Sequence, residues 1–388
     1  MTTISATVDD QTVTWKDSKR YLWLLGLVVP LLPFGAVRGA DRFGIEVFWW
    51  MGPIWILIVI PTLDAVFHTD RSNPPDWAFE SLENDRYYRW CTYLFLPLQF
   101  AGLIFGAWYV THHDMAWYSE LGFALTVGTV AGVGINTAHE LGHKKDRTER
   151  WLSRLALAQS GYGHFYVEHN RGHHNRVATP EDPASSRLGE SFWAFLPRTV
   201  IGSIRSAWAL ESNRLRHQGK RVWSRENDVL NSWAVSVVVF AAIIAAFGPR
   251  VIPFLVIQAV FGFSLLEVVN YLEHYGLLRQ KTDTGRYERC NPQHSWNSNH
   301  IASNVLLYHL ERHSDHHAHP TRRYQALRHF AESPQLPSGY GGMIGLALFP
   351  PIWRRVMDRR VLAQYGGDVT LANIAPSKRD EILASYGK

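Results

Sequence analysis

Residues 117–145 read WYSELGFALTVGTVAGVGINTAHELGHKK, an apolar stretch that runs directly into two histidines and two lysines. A helix needs about 20 predominantly apolar residues to cross a bilayer core, and the part from Trp117 to His139 is long enough. Because helical residues four apart share a face, His139 and His143 can present two imidazole nitrogens to one point. The stretch therefore predicts a membrane-spanning helix that carries part of a metal site at its end.

Five other apolar runs of similar length make the chain an all-α, polytopic membrane protein with a histidine-rich cap. We treat residues 1–388 as a single membrane-embedded domain with two long polar segments, 144–227 and 276–388. The first 15 or so residues are polar and are predicted to be disordered, and the short apolar stretch 340–350 is predicted to be interfacial or packed rather than a seventh span. The six predicted spans are Tyr21–Val37, Ile45–Phe67, Tyr88–Thr111, Trp117–His139, Val229–Phe247 and Val251–Tyr275.

Lysine and arginine residues near the ends of the spans predict the orientation, because such residues stay on the cytoplasmic side. Lys16, Lys19 and Arg20 precede the first span and Lys144 follows the fourth, whereas residues 111–120 contain no lysine or arginine. Both termini and all histidine clusters are therefore predicted to be cytoplasmic. This bias explains most of the net charge of +5, so no nucleic-acid partner is expected, although part of the charge could dock an acidic protein.

Two further histidine clusters and one single histidine resemble the first in their position next to apolar runs. Each cluster places one histidine a helical turn before a pair, so that one helix face can supply two neighbouring metals. This many imidazoles exceed the shell of a single ion, and imidazole without thiolate suits iron, copper or zinc better than calcium or magnesium. The candidate histidines, eight in the three clusters and one alone, are His139, His143, His169, His173, His174, His274, His313, His316 and His317.

Carboxylates lie beside or close to these histidines in the sequence. Metal-bound imidazoles usually donate their second N–H to a carboxylate or a carbonyl, so we expect the acids to hold and orient the histidines. Spacing leaves open that one or two of them bind a metal directly. The acids are Glu140, Glu168, Glu273, Glu311 and Asp315.

Residues 139–143 alone also match the HExxH signature of zinc metalloproteases, with Glu140 as general base. An intramembrane zinc protease is therefore an alternative, although it leaves two histidine clusters without a role. Cys91 and Cys290 are too few for an iron-sulfur or rubredoxin-type cluster, which needs four thiolates. If the site needs electrons, another protein has to supply them.

The clusters together resemble the histidine pattern of integral-membrane di-iron enzymes, which include acyl desaturases, alkane hydroxylases and xylene monooxygenases. Four segments are similar, in order, to those of the bacterial alkane 1-monooxygenase family: NTAHELGHK at 136–144, EHNRGHH at 168–174, NYLEHYG at 270–276 and LERHSDHH at 310–317. This resemblance implies a multi-pass enzyme of the bacterial inner membrane. It implies two iron ions held by the nine histidines above, with O2 as co-substrate.

The same resemblance implies that the enzyme hydroxylates the terminal methyl group of medium-chain n-alkanes taken from the bilayer. Rubredoxin is the implied electron donor, with rubredoxin reductase upstream of it. The alternatives are a fatty-acyl desaturase or another hydrocarbon hydroxylase of the same superfamily, the zinc protease, and a binding or transport protein.

An alkane has no polar group, so a narrow apolar channel has to orient it. Helix faces followed outward from His139 and His274 give most of the candidate channel residues, and Trp55 and Ile58 on the second span are added to them. Ordinary helix packing explains each of them singly just as well. For Glu267 we predict a place at the polar end of the channel, either protonated or paired with Asn270 or a buried hydroxyl; packing between spans is the alternative. The candidates are Trp55, Ile58, Gly128, Gly132, Ile135, Phe263, Leu266, Glu267 and Asn270.

Overall fold

Six helices of the computed structural model, which describes residues 3–8 and 10–387, are long and apolar enough to cross a membrane. Their number and order confirm the prediction, and the first helix continues beyond Val37 to Phe43. We call them spans 1 to 6: Leu22–Phe43, Glu46–Phe67, Arg86–His112, Trp117–Gly142, Asp228–Phe247 and Pro249–His274.

Local sequence explains where several spans begin and end. Span 1 stops at Gly44, whose φ of +65° lies in the left-handed region that glycine adopts without strain. Span 5 begins after Asn227, whose side chain accepts hydrogen bonds from the backbone N–H of Val229 and Leu230. Span 2 contains a π-helical turn at Trp55–Val59, and spans 1, 2 and 6 begin with 3-10 turns at Leu22–Leu31, Glu46–Trp50 and Pro249–Val251.

Spans 4 and 6 pack closely along glycines. A Cβ at Gly128 would lie 2.7 Å from the backbone oxygen of Gln258, and a Cβ at Gly262 would lie 2.7 Å from the Cβ of Ala131. Small residues thus let the two helices approach. This contact brings together His139 and His274, which lie near the C-terminal ends of spans 4 and 6.

The remaining helices cover the histidine-bearing end. The Arg147–Ala158 helix packs on span 4, and the Phe192–His217 helix packs on span 6. Tyr340–Ala347 buries Tyr340, Met343 and Ile344 and is not among the candidate spans, which confirms that it packs. The other helical segments are Asp76–Ala78, Phe79–Asn84, Phe165–Val167, Glu168–His173, His174–Arg176, Pro292–His294, Ile301–Leu306, His313–Ala318, Tyr324–Ala326, Pro350–Gln364, Val369–Leu371, Pro376–Lys378 and Arg379–Tyr386.

The N-terminal segment forms an antiparallel hairpin of Thr3–Val8 and Gln11–Lys16, so the prediction of disorder was wrong for these residues. Thr, Val and Ile alternate with small polar residues there, a composition that favours strands. Ile4 and Trp15 are paired in the hairpin and pack against a buried aromatic cluster. Met1, Thr2 and Asp9, which the prediction also covered, lie outside the described residues.

Candidate metal centre

Nine histidine side chains converge near the ends of spans 4 and 6 in two groups. Within each group, the ring nitrogens that could bind a metal all lie within 4.8 Å of one another. Group A comprises His139, His143, His169, His174 and His316, and group B comprises His173, His274, His313 and His317. These are the nine histidines that the sequence analysis selected.

The backbone of the second cluster explains how it divides between the groups. Residues Glu168–His173 form a π-helical turn, in which hydrogen bonds join residues five apart. His169 and His174, five apart, therefore face the same point, and their Nε2 atoms lie 3.1 Å apart. An α-helix would have paired His169 with His173, which instead belongs to group B.

The third cluster divides between the groups through ordinary α-helical spacing. His313 and His317, four apart on the His313–Ala318 helix, have Nε2 atoms 2.9 Å apart in group B. His316 is turned towards group A, where its Nε2 lies 2.8 Å from that of His139 and 3.1 Å from that of His174. One short helix thus supplies both groups.

The nitrogen positions fit metal ligands better than hydrogen-bonded pairs. At metal–nitrogen distances of about 2.0–2.1 Å, neighbouring ligand atoms lie about 3 Å apart, as several of these Nε2 atoms do. The Nε2 atoms of His143, His173 and His274 are buried without a hydrogen-bond partner among the described residues. Buried polar atoms normally have partners, so orphaned nitrogens that point into each group suggest that a cation occupies it.

Burial also favours the ligating form of the imidazoles. It lowers the pKa of His169 and His316 in group A, and of His317 in group B, well below the usual histidine range. Neutral imidazole has a lone pair for a metal, whereas the protonated ring has none. The chemistry of the site therefore suits two first-row metal ions, one in each group.

Two polar groups that sequence reasoning missed orient histidines of group B. Asp182 lies 2.8 Å from the Nδ1 of His173 and also accepts a 2.6 Å hydrogen bond from the hydroxyl of Ser185. The Nδ1 of His274 lies 3.3 Å from the backbone oxygen of His294. In both rings the Nε2 then remains for the metal. Asp182 lies in a Pro-rich loop nine residues after His173, and no sequence pattern predicts that the two side chains meet.

The predicted acids behave differently from the expectation. Four of the five bind partners other than the nine histidines, and only Glu273 approaches one, with an oxygen 3.2 Å from the Nε2 of His313. Successive helical residues point about 100° apart, so an acid next to a histidine in sequence faces away from it. The observed partners are Lys144 for Glu140, Arg176 for Glu168, Tyr340 for Glu273, Asn304 and Tyr340 for Glu311, and Arg322, Arg328 and His319 for Asp315.

All five of these acids are buried. Burial raises the pKa of Glu168 to about 7, although Arg176 opposes this shift, and burial raises the pKa of Glu311 to about 8. Both carboxyl groups are therefore weaker acids than an exposed glutamate.

An apolar cavity of about 70 Å³ leads from the spans to both histidine groups. Its polar end includes His139 and His169 of group A and His313 of group B. Aliphatic side chains such as Val29, Val133 and Leu265 form most of its wall. A ligand without polar atoms fits such a wall, and one end of that ligand would face the metals.

Four of the nine predicted channel residues line this cavity: Trp55, Gly132, Leu266 and Asn270. Ile58 instead lies on the outer surface with 59% of its area exposed, and Gly128 contacts span 6. Ile135 of span 4 belongs to a buried hydrophobic cluster, and Phe263 stacks on Tyr162. Steps of four residues rotate a helix face by about 40°, so a face followed over several turns drifts away from the cavity.

Glu267 is not at the channel wall either. It is fully buried and accepts hydrogen bonds from the hydroxyls of Tyr162 at 2.7 Å and Thr199 at 2.8 Å, and from the amide of Asn270 at 3.2 Å. The predicted partnership with Asn270 is present. The position corresponds to the packing alternative, because Glu267 links span 6 to the Phe192–His217 helix.

A second, larger apolar groove of about 460 Å³ adjoins the cavity on the outer side of spans 2 and 6. Leu57, Val260 and Phe261 are among its lining residues. Three side chains line both spaces: Ile56 of span 2, Leu265 of span 6 and Ile344 of the Tyr340–Ala347 helix. They separate a surface that would face lipid from the cavity that ends at the histidines.

Comparisons with known proteins match nearly the whole chain. A model of the fatty acid desaturase family matches residues 115–347, which include all nine histidines. Alkane 1-monooxygenase of Acinetobacter baylyi is 47% identical over 96% of this chain and 92% of its own length. The enzyme of the same name from Ectopseudomonas oleovorans is 46% identical over 97% and 94%, and alkane 1-monooxygenase 1 of Alcanivorax borkumensis is 47% identical over 96% and 92%.

Proposed function

We propose, because this chain belongs to the fatty acid desaturase family and within it to the alkane 1-monooxygenases, that it hydroxylates the terminal methyl group of medium-chain n-alkanes. We place the reaction at two iron ions, one in each histidine group. The observation that carries the proposal is the apolar cavity that ends at both groups. The whole chain would act as a single catalytic domain.

The protein would contribute binding, orientation and exclusion of water. Aliphatic side chains would hold the alkane, and Val133 and Leu266 would keep its end near His139 and His313. Asp182 would keep His173 in the tautomer that leaves its Nε2 for the metal. The iron ions, when bound, would activate O2 with two electrons from the donor, so that one oxygen atom is inserted into a C–H bond of the alkane.

The environment of Glu140 argues against a zinc protease. Its carboxylate lies 3.0 Å from the Nζ of Lys144, with the backbone N–H of Tyr324 at 3.4 Å. A general base has to reach a metal-bound water, whereas this carboxylate is engaged by a lysine. His139 and His143 moreover belong to a group of five histidines, which exceeds the three protein ligands of catalytic zinc sites.

For the electron donor we propose rubredoxin, which would dock on the cytoplasmic side of the inner membrane. His143 and His174 are the most exposed histidines of group A. A donor bound next to them would therefore have the shortest distance over which to transfer electrons to the metals. Lys145, Arg147 and Arg150 are exposed next to this position and would attract an acidic donor. The orientation follows from the same residues, because lysine and arginine stay on the cytoplasmic side.

The test combines metal content with product analysis. The purified protein should contain about two irons per chain. With octane, O2 and reduced rubredoxin it should form 1-octanol, and it should do so in inside-out but not in right-side-out membrane vesicles. His139→Ala in group A and His173→Ala in group B should each lower the iron content and abolish octanol formation, because each removes one ligand.

His112→Ala is the matched control, since this exposed histidine belongs to neither group. It should leave both iron content and turnover unchanged. One zinc per chain, with peptide cleavage and no alkane-dependent consumption of O2, would overturn the proposal in favour of a protease.

A further inference from the structure

Two amide side chains lie near the histidines in the wall of the mostly apolar cavity. Asn136 on span 4 and Asn270 on span 6 both line it, and each is more than nine-tenths buried, with 7% and 5% of its area exposed. An alkane offers no hydrogen bond to an amide. Their presence in the wall therefore calls for a ligand with a polar end.

The surroundings fix how each amide is turned. The Nδ2 of Asn136 donates a 2.7 Å hydrogen bond to the backbone oxygen of Leu307, which can only accept. The Nδ2 of Asn270 donates at 3.2 Å to Glu267. Since the hydroxyls of Tyr162 and Thr199 also donate to Glu267, its carboxylate acts as an acceptor for all three neighbours. Both amide nitrogens are thus engaged, and both Oδ1 atoms remain as acceptors.

Besides the histidines, one carboxylate lines this end of the cavity. Glu273 lines the cavity, but it accepts a 2.7 Å hydrogen bond from the hydroxyl of Tyr340 and lies 3.2 Å from the Nε2 of His313. One oxygen of Glu273 is thus paired with Tyr340 and the other faces a nitrogen assigned to a metal, whereas the amide oxygens of Asn136 and Asn270 have no donor among the described residues. An acceptor without a donor in an apolar cavity is costly, so this end favours a ligand that donates a hydrogen.

We propose that the Oδ1 atoms of Asn136 and Asn270 accept a hydrogen bond from the hydroxyl group of a primary alcohol. This inference rests on the proposed function, in which the cavity contains an alkane before the reaction and a primary alcohol after it. The amides are positioning residues that hold the new hydroxyl at the histidine end while the hydrocarbon tail stays among the aliphatic side chains. Glu267 acts through Asn270: it accepts the hydrogen bond from the Nδ2 of Asn270, and the Oδ1 of Asn270 is therefore turned away from Glu267.

The test compares two isomers, 1-octanol, which donates a hydrogen bond, and 1-methoxyheptane, which only accepts. Trp55 lines the cavity, so the part of the fluorescence quenching by 1-bromooctane that is lost in Trp55→Phe reports binding there, and its reversal by each isomer gives a dissociation constant in lipid nanodiscs. In Asn136→Leu and Asn270→Leu we expect octanol to bind about 5-fold more weakly, the effect of one hydrogen bond, and the ether to bind as before.

Two further variants keep the inference falsifiable if a leucine disturbs the fold. Glu267→Gln retains the shape but can donate to the Oδ1 of Asn270, which turns the NH2 group of Asn270 towards the cavity; the preference for octanol over the ether should fall. Thr137→Val, next to Asn136 but outside the cavity wall, should change neither constant.

An unchanged preference for octanol in both leucine variants and in Glu267→Gln would overturn the inference, as would an equal loss of affinity for both isomers. The proposed function fails separately, if the wild-type enzyme makes no octanol from octane.

Discussion

The contact between His173 and Asp182 makes a prediction at the scale of single residues. The carboxylate of Asp182 holds the ring of His173 and is itself held by Ser185. In Asp182→Asn the side chain keeps its shape but loses its charge, so His173 should become a poorer ligand. We expect iron affinity to fall about 10- to 100-fold, measured by titration of the metal-free protein with Fe(II).

Asp358→Asn is the matched control for this prediction. Asp358 is equally buried, and its carboxyl is bonded to Tyr275 and Arg354, so it contacts no histidine of either group. This substitution should leave iron affinity unchanged. Equal iron affinity in Asp182→Asn and the wild type would show that the carboxylate does not support the ligand.

The site residues also show how far single positions could be predicted. Eight of the nine histidines could be selected because their type and clustering are visible in the sequence, and the single His274 because it ends an apolar run. Their supporting groups could not, because Asp182 and the backbone oxygen of His294 approach from other segments only after folding. Glu140 lies next to His139 in the sequence, yet it faces Lys144.

At the scale of helices, the number and type of spans were predictable and their fine geometry was not. Spans follow from length and hydrophobicity, which are properties of a local window. The π-helical turn at Glu168–His173 depends on tertiary packing, and it decides which histidines share a group. Predictions made along a helix face also became less accurate with distance from the histidine at which they began. Gly132, nearer to His139, lines the cavity, whereas Gly128, one turn further away, does not.

The packing of Gly128 gives a prediction for spans 4 and 6. An alanine at this position would place its Cβ 2.7 Å from the backbone oxygen of Gln258, which cannot rotate away. Gly128→Ala should therefore push the spans apart and destabilise the protein by about 1–3 kcal/mol. Because the spans carry His139 and His274, iron content should fall together with the melting temperature in a thermal unfolding assay.

Gly345→Ala is the control for a glycine in a helix without such a contact. Its added Cβ would meet only a methyl group of Leu57 at 3.8 Å, an ordinary distance. We expect an unchanged or slightly higher melting temperature, since alanine favours helix more than glycine does. If Gly128→Ala altered the preferred alkane length without loss of stability, Gly128 would be a channel residue, as the sequence analysis proposed.

At the scale of the whole molecule, the spans connect the lipid, which contains the alkane, with the histidine groups, which would bind the metals. The outer groove would face the lipid that dissolves an alkane, and the histidine groups lie at the end of the spans where basic residues are exposed. The cavity lies between them, and Ile56, Leu265 and Ile344 form the partition. An apolar substrate could thus reach the metals without crossing water.

This arrangement predicts that the size of the side chain at position 56 controls access from the bilayer. Ile56→Phe should hinder movement of octane from the groove to the cavity and raise its KM several-fold with little change in kcat. Ile56→Ala should lower the KM. Both changes affect entry of the substrate and leave the chemical step as it is. The measurement is steady-state octanol formation in nanodiscs, with iron content as a check that the centre remains intact. Ile58→Phe is the matched control, since Ile58 lies on the same span with 59% of its area exposed and lines neither space. If Ile56→Phe and Ile58→Phe raised the KM equally, the effect would come from the membrane surface of span 2, and the alkane would have to reach the cavity by another path.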